Sequence, residues 1–113
     1  MQPKIAHIFA DGLYAKETHI PAGLRLGKHT HTYTHFSILA KGIVKVTANG
    51  SWSMHQAPAC IEIKANVEHE VEAVTDATWY CIHGTDETDP EKIDEVLIHK
   101  GEEACRDGKS STP

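Results

Sequence analysis

The stretch Gly23-Leu24-Arg25-Leu26-Gly27-Lys28-His29-Thr30-His31-Thr32-Tyr33-Thr34-His35-Phe36-Ser37-Ile38-Leu39-Ala40-Lys41-Gly42 holds the reading on which the fold turns. The threonines and aromatic residues among its histidines disfavour helix and favour strand. Side chains alternate along a strand, so His29 and His31 point to one face, with backbones roughly 6.6 Å apart. Two imidazoles at that spacing can converge on one ion, since each metal–nitrogen bond spans about 2.0–2.1 Å. His35 stands differently. On one straight strand its backbone would lie roughly 20 Å from that of His29, too far to share a ligand. Either His35 is unrelated to the pair, or the chain turns near Thr32-Tyr33-Thr34 and brings it back on an adjacent strand.

Outward from this stretch, the chain from Ile5 to His83 reads as short strands separated by turns. Ile43 to Ala48 is rich in β-branched residues, and Asn49-Gly50 follows it. Both of these residues accept a positive φ, which makes the pair a strong hairpin signal, with Ser51 to Met54 as the return strand. Cys60 to Ile63, Glu70 to Val74 and Thr78 to Ile82 read as further strands, several with period-two alternation. Pro21-Ala22-Gly23 and Lys41-Gly42 punctuate them as turns. Many short strands at regular spacing predict a sandwich or a barrel. Past His83 the chain becomes polar and acidic. Asp89-Pro90 can cap a short helix with Ile93, Val96 and Leu97 on its apolar face. A strand through Glu95 to His99 fits the same residues. Residues 1–100 are expected to form one domain, and residues 101–113 a polar, frayed tail.

Composition removes several function classes. The net charge of −5, with lysines and arginines scattered, argues against nucleic acid, which calls for a clustered basic surface. No apolar run approaches the roughly 20 residues that span a bilayer, so no membrane partner is expected. The N-terminal residues lack a secretory apolar region, and a cytoplasmic location is the default expectation. Cys60, Cys81 and Cys105 are widely spaced and fit neither a disulfide framework nor a thiolate zinc site; Cys60 and Cys81 read as buried free thiols. Histidine is the anomaly, with nine in 113 residues.

The spacing around these histidines resembles the first motif of the cupin family, G-x5-H-x-H-x3-E-x6-G. Here Gly23, His29, His31, His35 and Gly42 stand at every motif spacing, with His35 where the family usually carries glutamate. The second motif, G-x5-P-x-G-x2-H-x3-N, aligns on Pro58, Lys64, Asn66, His69 and Ala73, and only His69 agrees. Asn66 is a sensible replacement for the glycine because asparagine tolerates the left-handed conformation. The resemblance implies an all-β fold, a small cupin β-barrel (double-stranded β-helix or jelly roll) with a short C-terminal extension. The chain is similar to the manganese-binding monocupins with a four-histidine site, and the resemblance implies His29, His31, His35 and His69 as metal ligands. One divalent transition metal per chain follows as the cofactor, with Mn, Fe, Ni, Cu and Zn all open. A homodimer is also implied.

Four neutral imidazoles would leave the ion's double charge uncompensated, so the site should attract anionic small-molecule ligands and act as a Lewis acid. Octahedral geometry would keep positions open for substrate or dioxygen, whereas a tetrahedral four-histidine site would be closed and structural. The resemblance favours a metal-dependent, dioxygenase-like oxidoreductase acting on a small organic molecule. The alternatives are a non-catalytic metal- or ligand-binding cupin and a purely structural metal. By strand parity, Ser37 and Leu39 share a face with His35, Val71 and Ala73 share one with His69, and Cys81 and His83 line the same interior.

Overall fold

The computed structural model describes residues 2–85 and 87–92, without the side chains of Lys28 and His29. Nine strands lie among these residues: β1 (Lys4–Ala10), β2 (Leu13–Ile20), β3 (Arg25–His29), β4 (His35–Lys41), β5 (Ile43–Ala48), β6 (Ser51–Gln56), β7 (Ala59–Ile63), β8 (His69–Ala73) and β9 (Ala77–Gly84). All pairings are antiparallel, in two sheets ordered β1-β2-β9-β4-β7 and β3-β8-β5-β6. The expected all-β architecture is the observed one. The Asn49-Gly50 hairpin forms as the sequence predicts, with φ of 52° and 84° and Ala48 paired to Ser51. Asn66 takes the left-handed conformation, at φ 63°.

Period-two alternation builds the interior in rows. Tyr14, Lys16, Thr18 and Ile20 of β2 point inward, as do Ala77, Trp79, Cys81 and His83 of β9. His35, Ser37 and Leu39 do so on β4, and His69, Val71 and Ala73 on β8. Register sets Tyr14 opposite His83, Lys16 opposite Cys81 and Thr18 opposite Trp79, while Ser37 and Leu39 face Cys81 and Trp79 from the other side. One end of the sandwich is therefore apolar, built on Ile20, Leu39, Ala77 and Trp79 with Leu26, Val44, Val71 and Ala73 from the second sheet. Each large apolar side chain buried there contributes about 1.5–3 kcal/mol. The other end is polar. A row of Lys16, Cys81 and Ser37 comes first, and His35 and His83 lie one step beyond the Phe36–Ile82 pair.

The segment joining β3 to β4 departs from the simplest sequence expectation. His29 and His31 do not share one regular strand: β3 ends at His29 after a register shift beyond Leu26, and His31 makes an isolated bridge. The chain then bends at Thr32 and Tyr33, the second of the two alternatives for His35, but it crosses to the other sheet instead of closing a hairpin. Two hydrogen bonds hold the crossing to the loop before β8. Asn66 N–H donates to the His31 carbonyl at 3.0 Å, and Ala65 N–H donates to Thr34 Oγ1 at 3.0 Å.

Two further expectations change. Cys60 is exposed, because alternation turns it to the outer face of β7, whereas Cys81 is fully buried. After β9, Asp89 accepts from Glu91 N–H at 2.9 Å through its carboxylate and from Lys92 N–H at 2.9 Å through its carbonyl, as a capping residue does. The choice between helix and strand beyond residue 92, Cys105 and the tail over 101–113 lie outside the described residues.

Gly42 joins β4 to β5 at φ 92°, and a Cβ there would collide with Asp76 O and Ala77 Cα. Gly23 has a similar φ of 89° with nothing within 4 Å of such an atom. Gly42→Ala should therefore cost about 1–3 kcal/mol through crowding added to backbone strain. Gly23→Ala should cost less, and chemical denaturation of both variants checks the ranking.

Candidate metal centre

β4 and β9 are hydrogen-bonded neighbours, so inward positions at the same height bring His35 and His83 side by side, with ring centroids 4.2 Å apart. His31, placed by the crossing segment, covers them at 4.4 Å from His35 and 5.5 Å from His83. All three are buried, and one nitrogen from each lies within 4.8 Å of the others. An ion about 2.1 Å from two nitrogens holds them at most about 4.2 Å apart. Small ring rotations close that difference, so the three donors fit a single divalent ion. His69 stacks on His31 at 5.1 Å, on the side of the second sheet. The backbone of His29 pairs with that of His69 at the end of β3, and the His29 side chain is outside the described groups.

Each ring is oriented by what surrounds it. Nε2 of His35 is 3.4 Å from Ser37 Oγ, and Nδ1 of His69 is 3.4 Å from the Val67 carbonyl. These contacts leave the other ring nitrogen as the one available to an ion, in the manner of second-layer partners that fix a ligand's tautomer. His83 stacks on Tyr14 at 5.9 Å, and the Tyr33 ring stands tilted against it at 5.9 Å. Its buried Nδ1 has no hydrogen-bond partner among the described residues, a condition that costs about 1–3 kcal/mol and that metal ligation would relieve. Tyr14 in turn is hydrogen-bonded to His7 Nδ1 at 2.7 Å.

The electrostatics favour the neutral, ligating form of His69 and His83. Burial, and secondarily the charge of Lys16, lowers the pKa of His83 to about 4. Burial also lowers that of His69, partly offset by the Val67 carbonyl. The Cys81 thiol is pushed up to about 11, mainly by burial, and stays protonated rather than acting as a thiolate. The buried polar side chains among the described residues are Lys16, Thr18, His31, His35, Ser37, His69 and His83, a set without a carboxylate. Such nitrogen donors suit zinc, copper, iron or nickel. A cleft of about 470 Å³ opens beside this end of the interior, between β6 and β7; His69, Val46 and Ile63 lie at its inner side and Trp52 and His55 farther out.

No protein-family model matches the chain, and no curated protein matches it in sequence. Solved structures match its fold. A cupin 2 domain-containing protein from Halorhodospira halophila is 14% identical with a TM-score of 0.68, over 84% of this chain and 76% of that one. An RmlC-like cupin with a double-stranded β-helix fold from Methanocaldococcus jannaschii is 12% identical with a TM-score of 0.67, over 82% and 86%. KdgF from Halomonas sp. is 15% identical with a TM-score of 0.65, over 79% and 81%. At these identities the likeness shows the fold, which is that of a small cupin barrel. Among the described residues, no helix is long and apolar enough to cross a membrane.

Of the four histidines expected as ligands, the structure brings His31 and His35 into one cluster and sets His69 against its flank. His83 completes the cluster, and sequence spacing did not mark it as a ligand. Parity had placed it on the inward face with Cys81, but the expected strand over 78–82 stopped one residue short of it. Strand alternation extended to residue 84 is the signal that finds it.

A pH dependence follows from the lowered pKa values. In the unfolded chain these imidazoles protonate near their ordinary 6.5, whereas in the folded chain they resist protonation until about 4 for His83. Between those values the unfolded state binds more protons, so the metal-free protein loses stability as pH falls through that window. The thermal midpoint of the metal-free protein should drop between pH 7 and pH 4.5, and His83→Gln should flatten part of that slope. An unchanged slope in the variant would contradict the assignment.

Proposed function

We propose that this chain is a metal-binding protein of the cupin fold whose ion is held by His31, His35 and His83, with His69 and His29 as further ligands from the second sheet. The observation that carries this reading is the buried three-histidine cluster, whose donor nitrogens lie within 4.8 Å of one another. A divalent transition ion bound there would supply Lewis acidity and, with a redox-active metal, a route to dioxygen. The chain's own residues would do the rest. Ser37 and the Val67 carbonyl orient His35 and His69, and burial keeps His69 and His83 unprotonated.

On this reading the protein is a dioxygenase-like oxidoreductase that acts on a small organic molecule. The cleft beside His69 supports it, since a small molecule can come close to the cluster from that side. One observation favours a structural metal instead: His69 stacks on His31 with ring centroids 5.1 Å apart, and a ring movement that brought one of its nitrogens to the ion would close a tetrahedral site. Two copies of the chain would pair through apolar side chains on the outer faces, such as Ile8 of β1 and Phe36 and Ile38 of β4, which are exposed. A monomer in analytical ultracentrifugation would remove the dimer from this reading.

Protein purified without chelator should carry about one transition metal per chain by elemental analysis. In an oxygen electrode it should consume dioxygen with at least one class among diketones, thiols and phenolic acids. Bound metal without oxygen uptake across those classes would favour the non-catalytic or structural role, and absence of metal would reject the metal centre.

A further inference from the structure

β6 ends the four-stranded sheet and β7 ends the five-stranded one, and among the described residues no pairing joins them. The cleft of about 470 Å³ lies between these two strands. Register fixes what it meets. Directly opposed residues of antiparallel strands share a face, so Ser53 and His55 of β6 turn to the same side as Val46 and Val44 of β5. Both valines are buried, which makes that side the interior one. On β7 the inward positions are Ile61 and Ile63, opposite Ser37 and His35 of β4. His69 of β8 stands opposite Ala48 of β5. The cleft therefore reaches the histidine layer from both sheets, with His69 in its lining and His35 as the strand partner of Ile63.

Its lining has one chemical character. Val46, Ile61, Ile63 and Val67 give it an apolar floor and walls. The charged side chains of the lining, Glu62 and Lys64, are exposed and paired with each other at 3.0 Å. One polar pair shares the cleft with this apolar surface: Ser53 Oγ and His55 Nε2, 2.9 Å apart. If Ser53 donates within that pair, its oxygen can still accept from a ligand. If the ring donates, the serine proton is left for a ligand oxygen. A ligand hydroxyl, both donor and acceptor, satisfies either case. A carboxylate cannot donate, and against these walls it would lose hydration with Lys64 already neutralised by Glu62. A cleft of this size, mostly apolar with a few convergent polar groups, is the usual form of a small-molecule site.

We propose that the cleft binds a neutral small molecule with an apolar ring and a hydroxyl, a phenol, whose hydroxyl is held by Ser53 and whose ring lies toward His69. This names the ligand class of the site proposed above and rests on that reading in making the phenol a ligand of the metal centre. Binding in the cleft itself needs no metal.

The isotope-labelled, metal-free protein is titrated by NMR with 4-methylphenol and with 4-methylbenzoate. The two probes share a ring and a methyl group, and at pH 7 the first is neutral and the second an anion. 4-Methylphenol should shift the amide signals of Val46, Ala48, Ile61 and Val67, and 4-methylbenzoate should bind at least about tenfold more weakly. Ser53→Ala, a change at an exposed position, should weaken 4-methylphenol about threefold or more, as loss of one neutral hydrogen bond does. Absence of shifts at the cleft, equal affinity for the two probes, or an unchanged affinity in Ser53→Ala would overturn the inference. Zinc uptake by the same protein judges the metal reading separately. One zinc per chain without 4-methylphenol binding would overturn the inference alone. Binding of 4-methylphenol by a chain that takes up no zinc would uphold the cleft site and overturn the metal reading.

Discussion

Four imidazole rings, those of His31, His35, His69 and His83, are buried against one another at one end of an otherwise apolar β-sandwich. Burying polar rings in a low-dielectric interior is costly unless their nitrogens find donors, acceptors or an ion. Much else in the structure follows from meeting that condition. Ser37 and the Val67 carbonyl stand beside two of the rings, Tyr14 stacks on a third with Tyr33 tilted against it, and the crossing segment that carries His31 is tied to the loop before β8. The apolar rows around Trp79 and Leu39 provide the rigid floor on which this polar layer is built.

The strands were legible because alternation is a local property. Ile43 to Ala48, the Asn49-Gly50 turn, and the inward sets Ser37 and Leu39, Val71 and Ala73, and Cys81 and His83 all follow from period two and turn chemistry. The membership of the cluster was less legible, for two physical reasons. His31 belongs to no regular strand, so its direction is set by the bulge in β3 and by hydrogen bonds from a distant loop rather than by parity. His83 reaches the cluster through the pairing of β9 with β4, a contact between residues far apart in sequence that no spacing motif encodes. Cys60 shows the converse error, since its neighbours' hydrophobicity suggested burial and its outward register on β7 exposes it.

The fold alone does not choose a chemistry, because one scaffold hosts many functions. What narrows the choice here is the polarity of the interior. Imidazoles, a lysine and small neutral donors occupy it, while the acidic side chains of the same strands face outward. Three of these imidazoles, with nitrogens within 4.8 Å of one another, could hold a metal cation. The cleft flanked by Trp52 and His55 provides a side from which a small molecule can approach.

The most direct test of this account is native mass spectrometry of the wild-type protein and its His83→Ala variant after equilibration with Mn²⁺, Co²⁺ or Zn²⁺. The account predicts one ion per chain in the wild type and markedly reduced occupancy when His83 is removed. A wild-type chain that retains no ion, or a variant that retains it undiminished, would contradict the metal centre described here.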